Sequence, residues 1–349
     1  MVVAQALEES IMARRPKVCI DRVLPQEVFR PQRTIRMRGG PDRAVLEFRK
    51  LWVNGSTLHV RFLAGTAAEK QLVQQQAAWW TEHANLQFVF DDRPDAEIRI
   101  AFDPADGAWS WVGTDCRKIP QNAPTMNLGF LDGGTAAHEF GHAIGLGHEH
   151  QNPRGGIEWN EAVVLHDLQG PPNSWTPEQI SHNVLEKYAA DQIRGTEFDP
   201  DSIMLYFFPP RWTTDGKGTK ANDVLSAMDA AFIASEQAYP PTAAKAVTLQ
   251  VDAPAVAASI GTPGEEDLFT FRVRRAGRHA IATAGSTDVV MKLFGPDQQT
   301  RLVAEDDDSG IGTNARILTD LGPGQYWAQV RHYQRARGTG SYRIRVRAG

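Results

Sequence analysis

The chain has 349 residues, of which 42% are hydrophobic and 23% charged, with 37 basic against 42 acidic residues and a formal net charge of -5. This is ordinary for a globular protein: no basic excess marks a nucleic-acid binder, and no apolar run approaches the roughly 18 residues of a bilayer span. At about 150 residues per domain the length predicts two domains, and the two cysteines, Cys19 and Cys116, allow one disulfide at most.

Residues 1–50 read as an extended arm, because Pro16, Pro25, Pro31 and Pro41 interrupt every helical pattern. The arm is either draped over the surface or is a prosegment lying across a cleft. No basic region precedes Val2-Val3-Ala4, and Glu8 and Glu9 follow it, so no secretory leader is expected. Residues 51–241 form the first predicted domain. Thr57 to Leu63 alternates as a strand, and 67–83 carries Leu72, Val73, Ala77 and Trp80 at helical spacing with a glutamine-rich side for solvent. Short strands are expected over 86–90 and 96–102, then a long loop over 103–124, then a strand from Thr125 to Phe130.

Next comes His138-Glu139-Phe140-Gly141-His142-Ala143-Ile144-Gly145-Leu146-Gly147-His148-Glu149-His150. On a helix, His138 and His142 are separated by roughly 400°, so both imidazoles reach one ion from one face. Glu139 lies about 100° further round, placed as a base beside a water on the metal rather than as a ligand. Gly145 can adopt the left-handed conformation that ends a helix, after which His148 returns as a third nitrogen. Three protein ligands with a fourth position open are the pattern of catalytic zinc.

Downstream, Asp201-Ser202-Ile203-Met204-Leu205-Tyr206 looks like the Met-turn of the metzincin peptidases. Together with Glu149 directly after the third histidine and the tyrosine two places after Met204, it resembles the astacin family and its bacterial relatives. Leu205 stands where that family commonly has a histidine. The resemblance implies a zincin-type α+β domain, a zinc ion held by His138, His142 and His148, and Met204 as an apolar floor. It further implies Tyr206 as donor to the developing oxyanion and a protein or peptide substrate. An edge strand at Met126, Asn127 and Leu128 would pair with that substrate by β-addition, and Glu149 would anchor the amine of a trimmed chain. The order strand, helix, strand, strand before the motif matches the N-terminal half of such a domain.

Thr176-Pro177-Glu178 opens a helix running to about Ala190, and Asp223 to Tyr239 reads as another with Leu225, Met228, Phe232 and Ile233 on its apolar face. Residues 242–258 read as a linker into an all-β domain, 259–349, with strands at 268–273, 279–283, 289–294, 315–318, 326–331 and 342–346. Its Leu293-Phe294-Gly295-Pro296-Asp297, Glu305 to Gly310 and Leu321 to Tyr326 segments resemble the bacterial pre-peptidase C-terminal domain, a module of secreted peptidases. Asp306, Asp307 and Asp308 read as a solvated turn, with a calcium loop as the alternative.

The function expected is therefore a zinc endopeptidase acting outside the cell. The alternatives are a zinc-bearing binding module without turnover and an intracellular processing peptidase. For Cys19 three readings stand: a surface thiol, a bridge to Cys116, or a thiolate in the open zinc position that keeps the enzyme latent. Arg14, Arg15, Lys17 and Arg22 favour the thiolate form.

Overall fold

The computed structural model describes residues 19, 46–47, 50–170, 174–187, 193–194, 197–235, 237–241, 246–334 and 337–349. Most of the arm, the Pro171-Pro172 pair and residues 188–190 lie outside them. The chain divides into two compact units: Met1–Leu51, Val60–Trp80 and Phe90–Ala230 form one, and Trp52–His59, Thr81–Val89 and Ala231–Gly349 the other. No described helix is long and apolar enough to cross a membrane.

The strands β1 (Leu46–Glu47), β2 (Thr57–Phe62), β3 (Gln87–Phe90), β4 (Ile98–Ala101), β5 (Ala108–Ser110) and β6 (Met126–Leu128) precede the motif, with helix α1 (Ala67–Thr81) between β2 and β3. Five of them form a sheet in the order β3-β2-β4-β6-β5, parallel from β2 through β4 to β6 and antiparallel at β5. This corrects the expectation of an edge at Met126, Asn127 and Leu128. The stretch read as loop supplies β5, which pairs Ala108 with Leu128 and Ser110 with Met126, so β5 is the edge and β6 lies inside it. Asn127 is buried, its amide donating to Asp103 O at 2.9 Å while its Oδ1 accepts from Asp103 N at 2.9 Å.

Helix α1 begins in a capping box, Thr66 N–H donating to Glu69 Oε2 at 2.7 Å and Glu69 N–H to Thr66 Oγ1 at 3.3 Å. Val73, Ala77 and Trp80 are buried as the periodicity predicts. Gln76 is not on the solvent side, as its glutamine-rich surroundings suggest; it is buried and spans two backbone groups of the zinc-motif segment. That segment forms helix α2 (Thr135–Ala143).

Beyond α2, helices α3 (Glu161–Gln169) and α4 (Pro177–Ile180) pack Val164, Leu168 and Ile180 with Leu205, Phe208 and Trp212 in a second core. A π-turn over Ser181–Leu185 continues α4, whose start is capped by Thr176 and Gln179. Strand β7 (Ile193–Arg194) pairs with β1. The predicted 223–239 helix is shorter, α5 (Ala227–Ile233), because Ser226 and Asp229 close a capping box that starts the helix at 227. Met228 is 40% exposed, while Phe232 and Ile233 are buried.

The C-terminal strands are β8 (Val247–Thr248), β9 (Val256–Ile260), β10 (Glu266–Val273), β11 (Gly277–Gly285), β12 (Val289–Phe294), β13 (Leu302–Asp306), β14 (Arg316–Leu321), β15 (Gly324–His332) and β16 (Gly340–Ala348). They make a two-sheet sandwich, β13-β12-β15-β10-β8 and β14-β11-β16-β9, around Phe269, Phe271, Ile281, Leu293, Ile344 and Val346. The stretch read as a linker contributes β8 and most of β9 to these sheets, so pairing reaches further upstream than its alanine-rich sequence suggests.

Candidate metal centre

Helix α2 is held at its start by α1. Gln76 Nε2 donates to Gly133 O at 2.6 Å, Gln76 Oε1 accepts from Ala137 N at 3.1 Å, and Trp80 Nε1 donates to Ala137 O at 2.7 Å. Its end is a Schellman turn: Leu146 N–H donates to Gly141 O at 2.9 Å and Gly145 N–H to His142 O at 2.8 Å, with Gly145 at φ +103°. Only glycine adopts that φ without strain. The turn also orients the second histidine, since Leu146 O accepts from His142 Nδ1 at 2.8 Å.

His138 Nδ1 donates to Ile203 O at 2.7 Å. With Nδ1 protonated on both rings, each Nε2 is the unprotonated nitrogen, able to act as a ligand or acceptor. His142 Nε2 lies 3.1 Å from His138 Nε2 and 2.9 Å from His148 Nε2. Nitrogens bonded to one tetrahedral zinc stand about 3.3 Å apart, so the three imidazoles fit that ion. Among the described residues this is the one grouping of three or more histidine, cysteine or acidic side chains with metal spacing, and Cys19 is its fourth member, all ligand atoms lying within 4.8 Å of one another. Neither cysteine is in a disulfide, and both are buried, which removes the surface-thiol and Cys19–Cys116 readings. Asp306 caps a turn, accepting from Ser309 N at 3.1 Å and Arg316 N at 2.7 Å.

Glu139 is fully buried beside His138. Tyr206 Oη is 3.2 Å from His138 Nε2 and hydrogen-bonds to His148 Nε2. The tyrosine is fixed from behind by Thr219, whose hydroxyl donates to Tyr206 O and accepts from Phe208 N at 2.7 Å. Phe208 in turn packs edge-on against His150 and Trp159 at 5.0 and 4.8 Å between centroids. His150 donates from Nε2 to Asn183 O at 3.0 Å.

Met204 is buried, and its sulfur lies 2.4 Å from where a Cβ on Gly141 would stand, beside the two histidines of α2. The turn is anchored by Asp229, which sequence reading missed. Its Oδ2 accepts from Ile203 N at 2.8 Å and Ser226 N at 3.0 Å, and its Oδ1 from Ser202 Oγ at 2.7 Å. Burial raises its pKa against those hydrogen bonds. Burial likewise pushes Glu149 up to about 8, although Oε1 accepts from Asn152 Nδ2 and Asp199 N, both at 3.0 Å. The Ser226-Ala227-Met228-Asp229 capping pattern was the signal available for Asp229.

A mixed sheet above a buried helix, with three imidazoles converging over a methionine turn, defines a metzincin-type zinc metalloendopeptidase. The family model described as Astacin (Peptidase family M12A) matches residues 45–208. Among similar proteins, astacin-like metalloprotease toxin 4 of Loxosceles laeta is 31% identical over 109 residues, 29% of this chain and 79% of its own. Toxin 5 of Loxosceles gaucho is 29% identical over 166 residues, 47% of this chain and 80% of its own. The solved structure of myroilysin is 35% identical with a TM-score of 0.54, covering 57% of this chain and 100% of that one. The chain belongs to the astacin family.

Proposed function

We propose that the chain hydrolyses peptide bonds in proteins with Glu139 as general base and Tyr206 as oxyanion donor, and that the form described here is latent. The observation that carries this reading is the cluster of three Nε2 atoms, the Tyr206 hydroxyl and the Cys19 thiol around one point. His138, His142 and His148 would hold zinc, which when bound supplies a Lewis acid for the scissile carbonyl and lowers the pKa of water. Glu139 takes the proton of the attacking water and passes it to the leaving amine, its burial keeping bulk water from the exchange. Tyr206 donates its hydroxyl hydrogen to the oxygen on which charge develops. An extended substrate adds to the sheet at β5, the terminal strand.

Cys19 keeps the enzyme latent in this reading. With zinc bound, its thiolate would join the three histidines in holding the ion and would exclude the water that Glu139 must deprotonate. Removal of the arm would then release activity. The relatives named as toxins support action outside the cell. The test is hydrolysis of a fluorogenic peptide by zinc-loaded Cys19→Ser protein, abolished by a chelator and restored by zinc. No hydrolysis by that variant, with zinc bound and the fold intact, would sink the proposal.

A further inference from the structure

The outer face of the β14-β11-β16-β9 sheet carries a row of arginines. In β16, Tyr342, Ile344 and Val346 turn into the sandwich core, so Arg343, Arg345 and Arg347 point the other way, about 6.8 Å apart along the strand. The pairing register sets what surrounds them. On β11 they face Ala284, Ala282 and Ala280, and on β9 Arg343 faces Ala257. Across β11, Ala282 is paired with Arg316 and Ala280 with Leu318, both exposed. The result is a trough floored by alanines, with arginines on strands about 9.6 Å apart on either side.

Among the described residues, no carboxylate stands on the strands in its middle, β11 and β16. Asp320 at one corner is bonded to Arg278 at 3.1 Å, and Asp252 accepts from Ala348 N at 3.0 Å while its carbonyl accepts from Arg347. Asp306 caps the backbone of Arg316 rather than its guanidinium. Among the described residues Arg316, Arg343 and Arg345 form no ion pair. The chain as a whole is net acidic, at -5, so the patch does not follow from general basicity. A merely solvated sheet face intersperses both signs, because like charges at neighbouring positions repel.

We propose that this face binds a linear anionic polysaccharide carrying sulfate or uronate groups. Guanidinium forks match sulfate and carboxylate oxygens in pairs, and the regular spacing along β16 suits a polymer whose charges repeat along an extended chain. The alanine floor and Leu318 offer an apolar bed for the sugar rings. No aromatic side chain stands on this face to stack a base, which disfavours single-stranded nucleic acid. The inference is independent of the peptidase reading.

The test uses the full chain with heparin, polygalacturonate, neutral dextran and duplex DNA as probes. Heparin or polygalacturonate should bind saturably and more weakly as salt rises, with the arm that binds identifying the anionic group; dextran should not bind. Replacing Arg316, Arg343 and Arg345 together by serine should weaken binding by about tenfold or more. Arg272, Arg274 and Arg275, exposed elsewhere on this unit, serve as the equal-charge control, and their replacement by serine should leave binding unchanged. If the triple variant does not fold, Ala282→Glu, which sets a carboxylate between Arg316 and Arg345, should weaken binding instead. Four results would overturn the proposal: no binding to either polyanion, equal binding by a folded trough variant, equal loss in the control, or duplex DNA bound as tightly.

Discussion

Met204 and Gly141 share one space: the methionine sulfur fills the volume that a side chain at 141 would need, with Trp80 closing the same gap. Helix α2 therefore sits on the Met204 turn only because Gly141, between its two histidines, has no Cβ. Gly141→Ala must push Met204 aside, and overpacking of this kind costs about 1–3 kcal/mol. A thermal melt should record the loss, accompanied by weaker zinc retention. An unchanged melting temperature would mean that the methionine yields freely and is no floor.

Asp229 reaches the metal site through one backbone unit, accepting from Ile203 N while Ile203 O holds His138. Asp229→Ala leaves the N–H groups of Ile203 and Ser226 and the Ser202 hydroxyl without their acceptor, at about 1–3 kcal/mol for each that stays buried and unpaired. Zinc affinity should fall about 10- to 100-fold, as for other groups that orient a ligand indirectly. Chelator competition measures it. Lowered stability with unchanged zinc affinity would confine Asp229 to the fold.

The histidine cluster was legible in the sequence because helical spacing fixes it: His138 and His142 need only the i, i+4 relation, and Gly145 announces the turn that returns His148. The Met-turn was legible through family likeness alone. What escaped depended on long-range partners. Gln76 looked like a solvent residue among glutamines, yet it bonds residues 57 and 61 positions away. Strand β5 was hidden because Ala108-Trp109-Ser110 is too short to show alternation and is flanked by turn residues. Helix α3 lies in a stretch flanked by Pro153 and Pro171, which break the pattern on either side, although Val164 and Leu168 keep helical spacing.

Tyr206→Phe keeps the ring among His148, His150 and Phe208 and removes only the hydroxyl. In the unmasked enzyme kcat should fall by about 10²- to 10³-fold with KM little changed, since the donor acts as the oxyanion forms. Steady-state kinetics on one peptide decides it. Equal kcat would remove Tyr206 from the mechanism.

Cys19→Ser should be active at once, whereas the parent should need trimming of its arm. The two thiols should also differ in chemistry. Burial pushes Cys116 up to about 12 from 9.0, so it stays protonated and should resist alkylation at pH 8 in the folded protein. The folded state holds that proton more tightly than the unfolded chain does. The stability this group contributes is therefore complete below pH 9.0 and is lost as pH rises towards about 12. Peptide mapping after iodoacetamide checks the labelling; modification of native Cys116 at pH 8 would contradict its burial.

Glu139 is proposed to move protons and to hold no metal, and one variant tests this. Glu139→Gln in the Cys19→Ser background is analysed for zinc by mass spectrometry and for hydrolysis of a fluorogenic peptide in the same preparation. The account predicts zinc content equal to the background protein and turnover lower by about 10²- to 10⁴-fold. Zinc lost along with the carboxylate, or turnover that survives its removal, would contradict it.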